Sequence, residues 1–141
     1  MLKNLSEETA KYFMKTPPAS IVEFALAGKA LLVEGPSGFM LLEKFYKSVT
    51  GRAPEDDGVN IIDVRGLSFK RYLEIAKLTG CKVGVITDND EDYQKHCVEK
   101  YADYAGDTNI GVFYDSDNAK RTFEIILYGD NAALCLSLIH I

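Results

Sequence analysis

Apolar residues recur along this chain in two spacings that take turns. Short runs, mostly apolar and rich in β-branched residues, alternate with stretches in which apolar positions return every three or four residues. Leu5 to Lys15, with Ser6 as N-cap, and Ala19 to Ala27, stopped by Gly28, predict two helices separated by the breaker Thr16-Pro17-Pro18. From Lys29 the pattern reads as strand (Ala30-Leu31-Leu32-Val33), turn (Gly35-Pro36-Ser37-Gly38) and helix (Phe39 to Val49). A Gly/Pro/Asp-rich loop, Gly51 to Gly58, leads to a second strand, Val59 to Val64. A helix follows, capped by Ser68, with Phe69, Tyr72, Leu73, Ala76 and Leu78 on its apolar face and Gly80 at its end. Lys82 to Thr87 is a third strand, Asp92 to Tyr104 a third helix of this series, and Ile110 to Tyr114 a fourth strand. For Thr122 to Tyr128 periodicity does not choose between strand and helix.

Runs that are apolar on both faces belong in parallel sheets covered by helices on both sides. Four of them with helical connections predict an α/β fold: a mainly parallel four-stranded sheet flanked by helices, with right-handed crossovers and the functional groups at the carboxyl ends of the strands. The 141 residues, 47% hydrophobic and 26% charged, suit one domain with one core. No apolar run approaches the roughly 20 residues that span a bilayer, and the N-terminus lacks a signal-like core, so the expectation is a cytoplasmic protein without membrane contact. Cys81, Cys97 and Cys135 are odd in number and form no CxxC, which predicts reduced, buried thiols. Acidic residues exceed basic ones, 21 to 16, for a net charge of −5. That sign excludes gripping nucleic acid through surface potential alone. The basic pairs Lys44/Lys47, Lys70/Arg71 and Lys120/Arg121 read as solvated helix faces.

Carboxylates stand where strands end. Glu34 closes the first strand ahead of a glycine turn, and Asp88 and Asp90 follow the third as Thr87-Asp88-Asn89-Asp90. In D-x-D the two aspartates aim to one side while Asn89 turns away. Unpaired carboxylates brought together require a proton or a cation, and oxygen-only donors suit Mg²⁺ or Mn²⁺. Read by itself, Asp88 to Asp92 is equally well a solvated loop that caps the next helix, with Glu91 and Asp92 complementing its dipole. His96 beside Cys97 fits no zinc spacing. Tyr93, Tyr101 and Tyr104 lie on the third helix as core or surface aromatics.

Val33-Glu34-Gly35-Pro36-Ser37, Val64-Arg65-Gly66 and Ile86-Thr87-Asp88-Asn89-Asp90 together resemble the Toprim domain of OLD-family ATP-dependent endonucleases, over about Lys29 to Tyr128. The resemblance implies a Toprim, Rossmann-like fold and two-metal phosphodiester hydrolysis of DNA. It implies Glu34, Asp88 and Asp90 as metal ligands and catalytic residues. Thr122-Phe123-Glu124 is similar to the family's Ser/Thr-x-Glu motif and so adds Glu124 to the set. It also implies a larger protein with an ATPase domain before this one, ATP binding there, and a possible homodimer. Residues 1–28 are then a helical linker and residues 29–135 a C-terminally truncated Toprim domain. Residues 136–141, Leu-Ser-Leu-Ile-His-Ile, can be written CTG TCT CTT ATA CAC ATC, which resembles a transposon end used in sequencing-library preparation. They are expected to be a non-native tail rather than an apolar C-terminal strand.

Two features depart from the family pattern. The family's acidic residue four positions after the glutamate is here Gly38, and the downstream basic residue has no counterpart before the chain ends. The alternative function is therefore a non-catalytic Mg²⁺-binding or assembly module. A receiver-like phosphoacceptor would also place acids at strand ends, with Lys120 as its lysine, but would carry its acidic pair after the first strand.

Overall fold

The structure, a computed structural model, describes residues 5–15, 18–64 and 69–139, without the side chains of residues 18–21, 134–135 and 138–139. Arg65, Gly66 and the Ser68 cap, the Thr16-Pro17 break, and His140 and Ile141 lie outside the described residues. The elements run α1 (Glu7–Lys15), α2 (Pro18–Leu26), β1 (Lys29–Val33), α3 (Pro36–Thr50), β2 (Val59–Asp63), α4 (Phe69–Thr79), β3 (Lys82–Ile86), β4 (Ile110–Phe113), α5 (Phe123–Asp130) and α6 (Ala132–Ile139). All four strands are parallel, in the order β2-β1-β3-β4, in keeping with the expected α/β fold. Among the described residues no helix is long and apolar enough to cross a membrane.

Strand alternation sends Ala30 and Leu32 of β1, with Val83 and Val85 of β3, into the core beneath α4, whose Phe69, Tyr72, Leu73, Ile75 and Ala76 are buried. Ser6 caps α1, accepting from the Thr9 N–H at 3.3 Å, and Gly80 ends α4 at φ 73°. The lead-in helices contribute to the same core. Phe13 of α1 and Phe24 of α2 set their ring edges against Tyr72 at centroid distances of 5.3 and 5.1 Å. Arg71 ties α4 to α1 through Glu8 at 2.8 Å and the Thr9 hydroxyl at 3.0 Å, so it is not a freely solvated residue.

Two elements differ from the sequence expectation, and a third, left open there, is decided. Helix α3 begins at Pro36, not at Phe39, because proline is preorganised for the first helical position and Gly35 supplies the turn at φ 89°. Gly38 therefore lies in the first helical turn. Asp92 to Tyr104 is not one α-helix but a π-helix, Gln94–Glu99, followed by a 3₁₀ turn, Ala102–Tyr104. Thr122 to Tyr128 is helical, with Thr122 accepting from the Ile125 N–H at 3.4 Å. The C-terminal residues through Ile139 form helix α6 rather than a strand, with Leu136 45% exposed.

Cys81 and Cys97 are free and buried, as expected. Lys120 and Arg121 sit in the loop before α5, not on a helix face. Lys120 pairs with Asp130 at 3.1 Å and Asp115 at 3.8 Å, and Arg121 pairs with Glu91. A receiver-like role for Lys120 is at odds with that pairing.

Candidate metal centre at the strand carboxyl edge

Strands β1 and β3 are neighbours, and their last residues, Val33 and Ile86, are register partners. The chain leaves β1 toward β2 on one side and reaches β3 on the other, so the crevice at their carboxyl ends lies where the strand order reverses. Glu34 and Asp88 stand at this edge, one and two residues past the paired positions, and share a small cleft with Val33, Gly38, Leu42, Ile86 and Phe123. The cleft holds about 20 Å³, room for one water-sized occupant.

Each carboxylate has its own support. The Gly35 N–H donates to Asp63 Oδ1 at 3.2 Å, so the acid at the end of β2 fixes the turn that carries Glu34. Asp88 Oδ1 accepts from the Phe123 N–H at 2.9 Å, which docks the N-terminus of α5 on the D-x-D segment and leaves the other oxygen of Asp88 for a ligand. Glu124, one residue further along α5, is exposed. It is held below its ordinary pKa by hydrogen bonds, first from the Ser37 hydroxyl at the start of α3, and its charge acts on Asp88.

Asn89 turns inward between the two aspartates. It is 1% exposed, and its amide donates to the carbonyls of Asp115, Asp117 and Lys120 at 2.8, 2.9 and 3.3 Å while its oxygen accepts from the Glu91 N–H at 3.1 Å. Asp90 and Glu91 take positive φ, 49° and 70°. Only a tightly held loop keeps two successive non-glycine residues there, and the Asn89 bonds hold it. Asp92 does cap the following segment, accepting from the Lys95 N–H at 3.1 Å.

Burial raises the pKa of Glu34, and the charges of Asp88, Asp90 and Asp63 add to it against the opposing charge of Lys100. Burial also raises Asp88, assisted by Glu124 and Asp90 and opposed by the Phe123 N–H. The donor set is thus all oxygen, partly desolvated and short of positive charge, which fits Mg²⁺ or Mn²⁺. Among the described residues no three His, Cys, Asp or Glu side chains are gathered closely enough to hold a metal ion. Of the four acids predicted from the sequence, Glu34 and Asp88 line one cleft, and Asp90 and Glu124 act on Asp88 through their charge.

An acid whose pKa is higher in the folded than in the unfolded chain gives the folded state an extra proton between the two values. This contribution is then greatest at low pH, declines as pH rises from the unfolded value to the raised folded one, and levels off above it. Glu34 and Asp88 contribute this slope in the chain without added metal, against the opposite contribution of Glu124, whose pKa is lowered. Glu34→Gln removes one of these two contributions and should flatten the slope, raising Tm at neutral pH relative to the unaltered chain. Thermal melts of both proteins from pH 4 to 8 check this, and parallel profiles would show that Glu34 is not strained at the edge.

Sequence reasoning missed Asp63, Tyr101 and Lys100. For Asp63 a signal existed, since it closes its strand as Glu34 does. Tyr101 and Lys100 come to the site only through the π-helix, which has no signature in the hydrophobic pattern.

Comparison with protein families gives a match over residues 26–90 to the model described as overcoming lysogenization defect protein-like, TOPRIM domain. No curated protein and no solved structure matches the chain. The matched residues run from the end of α2 to Asp90 and include Glu34 and both aspartates of D-x-D. Over residues 26–90, then, the chain is similar to the TOPRIM domain of the OLD-like family.

Proposed function

We propose that this domain is the catalytic module of a metal-dependent DNA endonuclease, in a larger OLD-type protein whose ATPase domain and possible dimer supply the rest of the machinery. The observation that carries the proposal is the placement of Glu34 and Asp88 in one cleft, at the register-matched ends of adjacent parallel strands. Glu34, Asp88, Asp90 and Glu124 are the proposed ligands for Mg²⁺ or Mn²⁺. Such an ion, when bound, lowers the pKa of an attacking water and polarises the scissile phosphate. The protein's own part is positional. Asp63 fixes the Glu34 turn, the Phe123 N–H fixes one oxygen of Asp88, and Asn89 fixes the loop that carries Asp90.

Gly38 favours a second reading, in which the site binds a metal without turnover. It is buried in the cleft wall, where a Cβ would lie 3.3 Å from Val33 Cβ, and it offers no side-chain oxygen. Manganese titration and plasmid nicking with the unaltered chain and Asp88→Asn separate the two. Mn²⁺ binding weakened about tenfold or more by Asp88→Asn, which removes a ligand charge, together with slow Mn²⁺-dependent nicking lost in the variant, supports the endonuclease. The same binding without nicking supports the second reading. No Mn²⁺ binding, or binding indifferent to Asp88, overturns both.

A further inference from the structure

Between β3 and β4 the chain passes through the π-helix Gln94–Glu99, closed by the Lys100 N–H donating to the Lys95 carbonyl at 3.2 Å. A π-turn is wider than an α-turn and shifts the residues after it out of the 3.6-residue stripe, and such turns recur at functional sites. Here it brings three side chains to the carboxyl end of β3. Cys97, 1% exposed, donates its thiol to the Asp88 carbonyl at 3.5 Å. Tyr101, 3% exposed, places its hydroxyl beside Thr87, and Lys100 holds its ammonium 5.3 Å from the centroid of the Tyr101 ring.

Among the described residues neither polar head has a hydrogen-bond or ion-pair partner. The Tyr101 hydroxyl lies beside Thr87 but finds no partner in hydrogen-bond geometry among the described residues, and the charges of Glu34 and Asp90 act on it. A buried hydroxyl left in that state costs about 1–3 kcal/mol, which points to an occupant that completes the site. Lys100 forms no ion pair among the described residues, although its charge acts on Glu34 and Cys97. A cation–π contact orients an ammonium without neutralising it. Its remaining charge is available to an anion.

We propose that Lys100, held over the Tyr101 ring at the carboxyl edge of β3, is the phosphate-contacting cation of this site and binds a nucleic-acid phosphodiester beside Glu34 and Asp88. This rests on the metal-dependent reading above. The carboxylates repel a phosphate until a divalent ion is bound, and Lys100 then adds positive charge to a site that lacks an acidic ligand at Gly38.

The test uses the full chain, a short labelled DNA duplex, and Ca²⁺ as an oxygen-seeking ion, with binding followed across a salt series. Lys100→Met should weaken calcium-dependent binding about tenfold and reduce the slope of log affinity against log salt by about one, as loss of one phosphate contact does. Lys100→Arg keeps the charge and the capacity to stack on Tyr101 and should therefore keep the slope. Lys29→Met removes a lysine at the opposite sheet edge and should leave the slope unchanged. A packing role for Lys100 would not move the slope. Calcium-dependent binding with the same slope in Lys100→Met overturns the role of Lys100 alone. Absence of calcium-dependent binding by the unaltered chain overturns the nuclease reading and the role of Lys100 with it.

Discussion

Tyr72→Ala is expected to remove about 3–5 kcal/mol of stability, the range for deleting a large buried aromatic side chain. Tyr72 is 1% exposed and stands where three helices meet, with Phe13 and Phe24 both edge-on to its ring, at interplanar angles of 81° and 90°. Edge-to-face pairs add about 0.5–1.5 kcal/mol each beyond area burial. Truncation forfeits both and leaves a void that α1 and α2 cannot fill without leaving α4. A domain of this size has about 5–15 kcal/mol in total, so the variant should melt roughly 10 °C lower or more. Tyr72→Phe, which keeps the ring, should cost no more than about 1–2 kcal/mol. Urea unfolding of the three proteins measures the difference. A loss below about 1 kcal/mol for Tyr72→Ala would mean that the lead-in helices do not pack as described.

Gly38→Asp should lower the stability of the chain without added metal by about 1–3 kcal/mol, the usual cost of overpacking, while tightening divalent-metal binding. A Cβ at position 38 meets Val33 Cβ at 3.3 Å and Cγ1 at 3.6 Å. Val33 is β-branched, 2% exposed and part of β1, so relief requires α3 to rise from the sheet by a few tenths of an ångström. The new carboxylate would also enter the cleft shared by Glu34 and Asp88, where charge of that sign is already unfavourable. Against this, any side chain in place of glycine favours a helix by up to about 1 kcal/mol, and an acid suits its first turn. Saturating Mn²⁺ should recover most of the loss in Gly38→Asp and little of it in Gly38→Ala, which carries the steric cost without the charge. Melts of both variants with and without Mn²⁺ decide it. Equal recovery would show that position 38 cannot supply a ligand in this chain.

The strands were legible because short apolar runs bounded by turn residues stand at β1, β2 and β3, with β-branched residues most frequent in β2 and β3. The strand-end acids were legible for the same reason, since Glu34 and Asp88 interrupt apolar runs at the edge where a parallel sheet places its chemistry. What escaped was set by tertiary contacts. Asp92 to Tyr104 has the spacing of an α-helix, but Cys97 and Tyr101 are drawn beneath the end of β3 and the helix widens to let them in. Phe123 to Tyr128 is apolar apart from Glu124 and has no period, and its conformation follows from the Thr122 cap and the Asp88 carboxylate, neither of which a hydrophobic pattern records. Gly38 read as part of a turn because glycine and proline flank it, whereas its burial against Val33 marks close helix–strand packing.

The parallel pairing of β1 with β3 also governs how the chain reaches its native state. Antiparallel neighbours can close through a tight hairpin, but here the register partners Val33 and Ile86 meet only after α3, β2 and α4 have been threaded between them. Closing so long a loop precedes any return from the contact, which places such sheets among the slower folders. Glu34 and Asp88 are brought together by the same closure, so no early local structure can assemble the pair. A divalent ion selective for that pair has no target in the unfolded ensemble, and its full binding free energy adds to native stability. In stopped-flow experiments Mn²⁺ should therefore slow unfolding while leaving the refolding rate nearly unchanged, because the pair it recognises is completed after the rate-limiting closure.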